Sequence, residues 1–201
     1  MKNKKPSNKY TSHPKIRVNR TISQELFLDV MDELSESGDW DTLIDIINSL
    51  LRKTEPDHWL QGVLAGAYYG KGDFDLALQS INKAISICGG CPLTRWTCAQ
   101  ILFYNGEYVH ALEVLNKLMC EPAREIHAGP CGSGSDCNLT LDRAEGVLND
   151  SRFLTAACYQ RLGYRCLYQY FLTVYKRYLA KGVGTCYAEE NIEEMTGGEE
   201  L

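Results

Sequence analysis

Nine cysteines carry the most reactive side chains in this 201-residue chain. Two of them form Cys88-Gly89-Gly90-Cys91, the spacing of a zinc-binding turn or of a redox pair. A structural zinc site needs four ligands, and no second close-spaced pair follows. His127, Cys131 and Cys137 come nearest to one. They would join Cys88 and Cys91 only if the glycine-rich run around them folds back on that turn. A thiol redox pair of the common kind needs a strand–helix setting, and no strand pattern flanks this one. Cys91 directly precedes Pro92, a favoured first helical residue, and a helix N-terminus lowers a thiol pKa. The plain alternative is a pair of turn cysteines with no chemical role.

Other chemistry is sparse. His13, His58, His110 and His127 are scattered, and none is spaced from a cysteine or carboxylate as a ligand or catalytic partner would be. Glycine-rich phosphate loops, HExxH and GxSxG are missing from the sequence. The residues therefore predict neither catalysis nor a resident cofactor. Asp29, Asp32, Glu33 and Glu36 cluster within one helical stretch, either as a solvated face or as a means of orienting a basic partner segment.

Charge is distributed unevenly. Residues 1–20 hold seven of the 21 Lys and Arg and no acid, leaving 14 basic against 26 acidic residues, a net −12. The basic arm, residues 1–21, reads as a solubilising tail; its one aromatic, Tyr10, gives none of the interleaving expected of a single-strand nucleic-acid binder. No apolar run approaches the roughly 18 residues of a membrane span, and no apolar core follows the basic start as in a signal peptide. The expectation is a cytoplasmic protein with reduced thiols, an odd cysteine count arguing against a fully paired disulfide framework.

The elements that must position these residues are marked by a phrase that occurs three times: Gly38-Asp39-Trp40, Gly72-Asp73-Phe74 and Gly106-Glu107-Tyr108, each 34 residues from the last. After each, inward positions follow at helical spacing: Leu43, Ile47 and Leu50; Ala77, Ile81 and Ala84; Ala111, Leu115 and Leu118. A period of 34 residues is that of helix–turn–helix repeats. Small residues Ala65 and Ala99 stand seven before their turn glycines, where paired helices cross closely. Three repeats are expected at about 24–56, 57–90 and 91–120, then an exposed insertion loop at 121–137. A degenerate fourth unit at 138–182 turns at Gly163, with Leu167, Tyr170, Phe171, Val174 and Tyr178 on its last apolar face. Residues 183–201 form an acidic tail.

This pattern, with Tyr68, Gly72, Phe74, Ala77, Ile81 and Ala84 in its best copy, resembles the tetratricopeptide repeat over residues 24–120. The stretch from Cys120 to Gly163 has a looser likeness to small bacterial repeat proteins of unassigned activity. The resemblance implies an all-α fold, a right-handed superhelical solenoid of antiparallel helix pairs whose first helices line a concave groove. Groove positions then fall on Trp59, Gly62, Gly66, Tyr69 and Gly70 in the second unit, and on Leu93, Trp96, Gln100, Phe103 and Tyr104 in the third. Relatives that grip a terminal carboxylate use lysine, arginine and asparagine at these positions, so an apolar or extended peptide segment is the expected ligand. A hydrophobic groove on a small acidic body also resembles secretion chaperones that hold a hydrophobic partner segment.

Gly62, Gly66 and Gly70 share one helix face, each costing about 1 kcal/mol against alanine. That cost is offset either by close packing or by a trough that a partner backbone can approach. The overall expectation is a non-catalytic interaction module with a protein or peptide partner. Capping of the groove by the chain's own tail, or self-association, remains an open alternative at this level.

Overall fold

Four glycines set the frame. Gly38, Gly72, Gly106 and Gly163 hold φ between 76° and 93°, a left-handed backbone that glycine enters without strain. At each, the following amide reaches back five residues: Asp39 to Leu34, Asp73 to Tyr68, Glu107 to Leu102 and Tyr164 to Tyr159, at 2.8–2.9 Å. The glycine's own amide bonds a carbonyl three residues back. These are Schellman stops, and a new helix starts directly beyond each one. The recurring phrase in the sequence is thus one hydrogen-bonded turn used repeatedly.

The computed structural model describes residues 22–128, 139–187 and 195. Among them are nine helices and no strand: α1 (Ile22–Ser37), α2 (Trp40–Leu51), α3 (His58–Lys71), α4 (Phe74–Ile87), α5 (Pro92–Tyr104), α6 (Tyr108–Met119), α7 (Ala123–Ala128), α8 (Leu141–Arg161) and α9 (Arg165–Leu179). The fold is all-α. Two- or three-residue links between packed helices make hairpins of α1/α2, α3/α4, α5/α6 and α8/α9. Successive hairpins pack through α2 on α3, α4 on α5 and α6 on α8, while α3 also meets α5, and α5 meets α8. The basic arm, the 129–138 part of the expected loop and the tail at 188–194 and 196–201 lie outside the described residues.

Side-chain caps start two of the helices that matter most. Asp57 Oδ1 accepts from the amides of Trp59 (2.7 Å) and Leu60 (3.1 Å), fixing the entry to α3. Thr140 Oγ1 accepts from Arg143 N at 3.3 Å and opens α8.

The core has two clusters. Leu43, Ile44 and Ile47 of α2 pack with Leu60, Leu64 and Ala67 of α3, covered by Phe27, Met31 and Leu34 of α1. The larger cluster runs from α3 through α9 and includes Ile81, Ile101, Leu115, Phe153, Leu154 and Tyr175. Burial of each such side chain contributes about 1.5–3 kcal/mol. Ala65, Ala77, Ala84, Ala99, Ala111, Ala156 and Ala157 are wholly inaccessible, so neighbouring helices approach to where a larger side chain would overpack.

Two expectations are corrected. The stretch 121–137 is not all loop: Ala123–Ala128 form a helix whose Ile126 is buried, and α7 packs on α8. A single apolar anchor within a polar, turn-rich run was enough to dock it. On α9 the core-facing row is Tyr168, Leu172 and Tyr175, while Leu167 and Tyr170 are exposed. Phe171, Val174 and Tyr178 flank that row, half-buried. The true face is turned by about one residue, roughly 100° of helix, from the one expected. The helix is apolar over a wide arc, so sequence alone leaves its orientation loosely fixed.

Candidate functional site

On α3, Trp59, Gly62, Gly66 and Tyr69 fall at i, i+3, i+7 and i+10, along one row, and all are half-buried. A Cβ built at Gly62 or Gly66 would meet nothing within 4 Å among the described residues. Aromatic pairs stand at either end of this bare floor. Trp59 meets Phe27 of α1 edge-on, with centroids 6.0 Å apart. Tyr69 lies 5.4 Å from Tyr104 of α5 and 6.0 Å from Phe74. The third glycine behaves differently. Gly70 is buried, and a Cβ there would sit 2.7 Å from the Trp40 ring, so its missing side chain makes room for a neighbouring indole. Phe103 is likewise buried, its ring against Tyr104 and Tyr108. Gly70 and Phe103 are packing residues and line no open surface.

The α5 residues Trp96, Gln100 and Tyr104 lead to the other end of the site, which the chain itself covers. Beyond α9, Gly182 makes a fifth left-handed turn with φ 83°, Val183 N reaching Tyr178 O at 3.1 Å. The chain then runs back across α8. The carbonyl of Gly184 lies over Gly146, 3.4 Å from where a Cβ would be. Thr185 Oγ1 donates to Asp150 Oδ1 at 2.5 Å, and Cys186 N donates to Asp150 Oδ2 at 3.1 Å. With its one proton committed to Asp150, the Thr185 oxygen accepts from the Tyr175 hydroxyl (2.9 Å) and from Tyr187 N (3.1 Å). The Tyr187 ring then packs against Phe153 (4.5 Å) and edge-on against Trp96 (6.0 Å). Met195 joins the same cluster, 2% exposed.

This strap accounts for the burial of Trp96. It also accounts for Asp150, a carboxylate only 3% exposed in mid-helix, whose two oxygens accept from the strap. Burial pushes the Tyr187 phenol well above its ordinary value, and negative charge at Cys186, Asp150 and Tyr104 adds to the push. Gln100 lies close enough to oppose that shift without being aligned for a full hydrogen bond. Tyr187 as a residue is half-buried, and its hydroxyl end is enclosed. Burial likewise raises Tyr175, to about 12, the Thr185 bond opposing.

Sequence reasoning missed Asp150, Phe153, Tyr175, Thr185 and Tyr187 as parts of this surface. Two signals pointed toward it: an acid between apolar residues on α8, and Gly146 inside an otherwise strong helix.

The cysteine turn has a structural explanation. Cys88 ends α4 and Cys91, fully buried, precedes α5. Arg95 Nε donates to the Gly89 carbonyl at 2.9 Å and the guanidinium pairs with Glu121, tying the turn to the end of α6. Among the described residues no three His, Cys, Asp or Glu are grouped to hold a metal ion. His127 falls on α7, and Cys131 and Cys137 lie outside the described residues. Burial raises the Cys98 thiol to about 11, with Glu107 adding to it, and the Cys158 thiol to about 12. Both are unreactive at neutral pH.

On α1, Asp32 is raised to about 6 by partial burial and then by the charges of Glu36 and Asp29. Of the cluster, Asp29, Glu33 and Glu36 are exposed and Asp32 is half-buried. On α6, His110 and Asn105 bond Glu107 at 3.0 and 2.7 Å and hold its carboxyl below the usual range.

No helix among the described residues is long and apolar enough to cross a membrane. Compared with protein-family models, curated proteins and solved structures, the chain matches none.

Proposed function

We propose that this protein is a non-catalytic interaction module, a tetratricopeptide-like helical array that holds an apolar or extended segment of a partner protein. The contact surface is the row Trp59, Gly62, Gly66 and Tyr69, continued by Tyr104, Gln100 and Trp96. One observation carries the reading: a non-helical stretch of polypeptide, Thr185–Tyr187, already lies against Trp96 and α8 by backbone and aromatic contacts. Helices that hold one such segment in this way have the chemistry to hold another. The bare floor on α3 supports the same reading. Two helix-interior glycines carry a propensity cost of about 1 kcal/mol each, and among the described residues a Cβ at either would meet nothing within 4 Å. Aromatic side chains at its ends are of the kind that anchor interfaces.

The test is affinity capture from a native lysate with the wild-type chain and with a Gly62→Gln, Gly66→Gln variant. The first carbon of either side chain meets nothing within 4 Å among the described residues, and circular dichroism checks that the variant keeps its fold. A partner held by the wild type and lost by the folded variant is the expected result. Identical capture by both would remove the reading.

A further inference from the structure

The strap shows what its site recognises. At its first position it uses a hydroxyl, which donates to Asp150 and accepts from Tyr175. The middle residue meets Asp150 through its backbone amide. Two residues after the hydroxyl an aromatic ring is gripped by Phe153 and Trp96, with its own hydroxyl enclosed beside Gln100. The pattern is hydroxyl, any residue, tyrosine, with the chain bent at Cys186 and the Tyr187 amide turned back to the Thr185 hydroxyl. The segment is hung from α9 by the turn at Gly182, Thr185 is exposed, and the Gly184 carbonyl lies over Gly146, 3.4 Å from where a Cβ would be.

We propose that the surface of Asp150, Tyr175, Phe153, Trp96 and Gln100 is a binding site for a Thr-x-Tyr segment of a partner protein, and that Thr185–Tyr187 is its built-in stand-in. This rests on the reading of the array as a segment-holding module and adds the chemistry of the ligand.

The stand-in has the advantage of tethering. A short link places it at an effective concentration of the order of millimolar, so an isolated copy of the same three residues would not displace it. A longer partner segment has additional surface to use. Tyr104 pairs with Tyr69, so the strap site runs on to the bare floor at Gly66 and Gly62. A ligand that fills both ends gains contacts the strap does not make, and differential affinity of that kind is what shifts such an equilibrium. In this arrangement the strap excludes short or weakly matching segments and yields to one that spans both ends.

The experiment uses the full chain with the strap unlatched by Thr185→Val and Tyr187→Ala. A fluorescein-labelled peptide with the wild-type sequence of residues 180–190 is titrated by polarisation against the unlatched and wild-type chains. The peptide should bind the unlatched chain at least about tenfold more tightly, because the tethered competitor is gone. The same peptide carrying Tyr187→Ala should not bind. Absence of binding to a folded unlatched chain, or equal binding of the two peptides, would overturn the proposal. If circular dichroism shows that the double variant is unfolded, Thr185→Val alone is judged by the same criteria. The lysate capture with Gly62→Gln and Gly66→Gln does not involve the strap, so a failed peptide titration beside a successful capture would sink this inference and leave the module reading in place.

Discussion

Glycines inside two helices, α3 and α8, stand in opposite surroundings. On α3, a Cβ at Gly62 or Gly66 would meet nothing within 4 Å among the described residues. On α8, the Gly184 carbonyl lies over Gly146 at contact distance, and beside it Thr185 reaches Asp150 and Tyr187 reaches Trp96 and Phe153. The difference shows that a helix-interior glycine can lie under the chain's own backbone or under open space, and that its spacing in the sequence does not say which. Where the approaching group is the chain itself, the aromatic surface is buried and the Asp150 carboxylate and Thr185 hydroxyl are bonded. Where it is not, aromatic pairs stand apart around a bare floor. The filled end therefore serves as a worked example of the contacts that the open end, which shares Tyr104 with it through Tyr69, leaves unmade.

Alkali should separate the two ends most strongly. Tyr187 and Tyr175 are both raised above the ordinary phenol value near 10, burial being the larger cause for each. The fold holds the neutral phenols, so their contribution is complete below pH 10 and is lost as pH rises through the folded values. The strap should detach above pH 10, toward and beyond the value of about 12 that Tyr175 takes. Loss of the Tyr187 ring and of Met195 from the core amounts to about 3 kcal/mol or more at 1.5–3 kcal/mol per buried side chain. Near-ultraviolet circular dichroism should report it while the helical signal of α1–α4 persists. Tyr187→Phe, which cannot ionise there, should move the transition to higher pH. An unchanged transition in that variant would show that Tyr187 does not hold the strap.

The three glycines of α3 sharpen the comparison on a smaller scale. Gly62→Ala and Gly66→Ala add a methyl to open space and remove a helix penalty, so each should raise stability by up to about 1 kcal/mol. Gly70→Ala must displace the Trp40 ring from 2.7 Å and should lower it by about 1–2 kcal/mol, as overpacking does. Thermal melts of the three variants decide the matter. If all three are stabilised, the indole swings aside freely and Gly70 belongs with the open floor after all.

What the sequence made legible follows from the range of the interactions. The Schellman turns were visible because their requirement, a glycine followed by a helix start, is local and recurs every 34 residues. Trp96 and Tyr104 were placed on the right helix by the same register. The strap left no such trace: its bonds join residues 35 and 36 apart in the chain, and a lone tyrosine in a glycine-rich acidic tail has no period to betray it. Gly70 and Phe103 were indistinguishable from their neighbours because helical spacing defines a face but not how far along its rim the core extends. For α9, an apolar arc wider than its contact with α8 permitted a rotation that only Tyr168, Leu172 and Tyr175, once packed, resolve. The recurring glycine phrase marked where helices turn and was silent on what the chain does between Gly182 and Tyr187.

The smallest effect lies on α1, the helix whose Phe27 stands against Trp59 at the open end. Asp32 is raised from 3.8 to about 6, partial burial coming first and the charges of Glu36 and Asp29 after it. Because the folded value lies above the ordinary one, the stability this group permits is complete below pH 4 and is lost as pH rises through about 6. Asp32→Asn should therefore raise the melting temperature at pH 7 by about 1 °C, the side chain being too exposed for more, and reduce the pH dependence between about 4 and 6. A ligand on this end would move the same group in a direction that reveals its nature. A lysine or arginine brought near Asp32 would favour the carboxylate, lower its pKa and release a proton on binding. An apolar segment would desolvate it further and raise the pKa. Carbon-13 NMR of the Asp32 carboxyl, with and without a captured partner, distinguishes the two by the sign of a shift. No movement in either direction would place the partner away from α1 and confine the contact to the row from Gly62 to Tyr104.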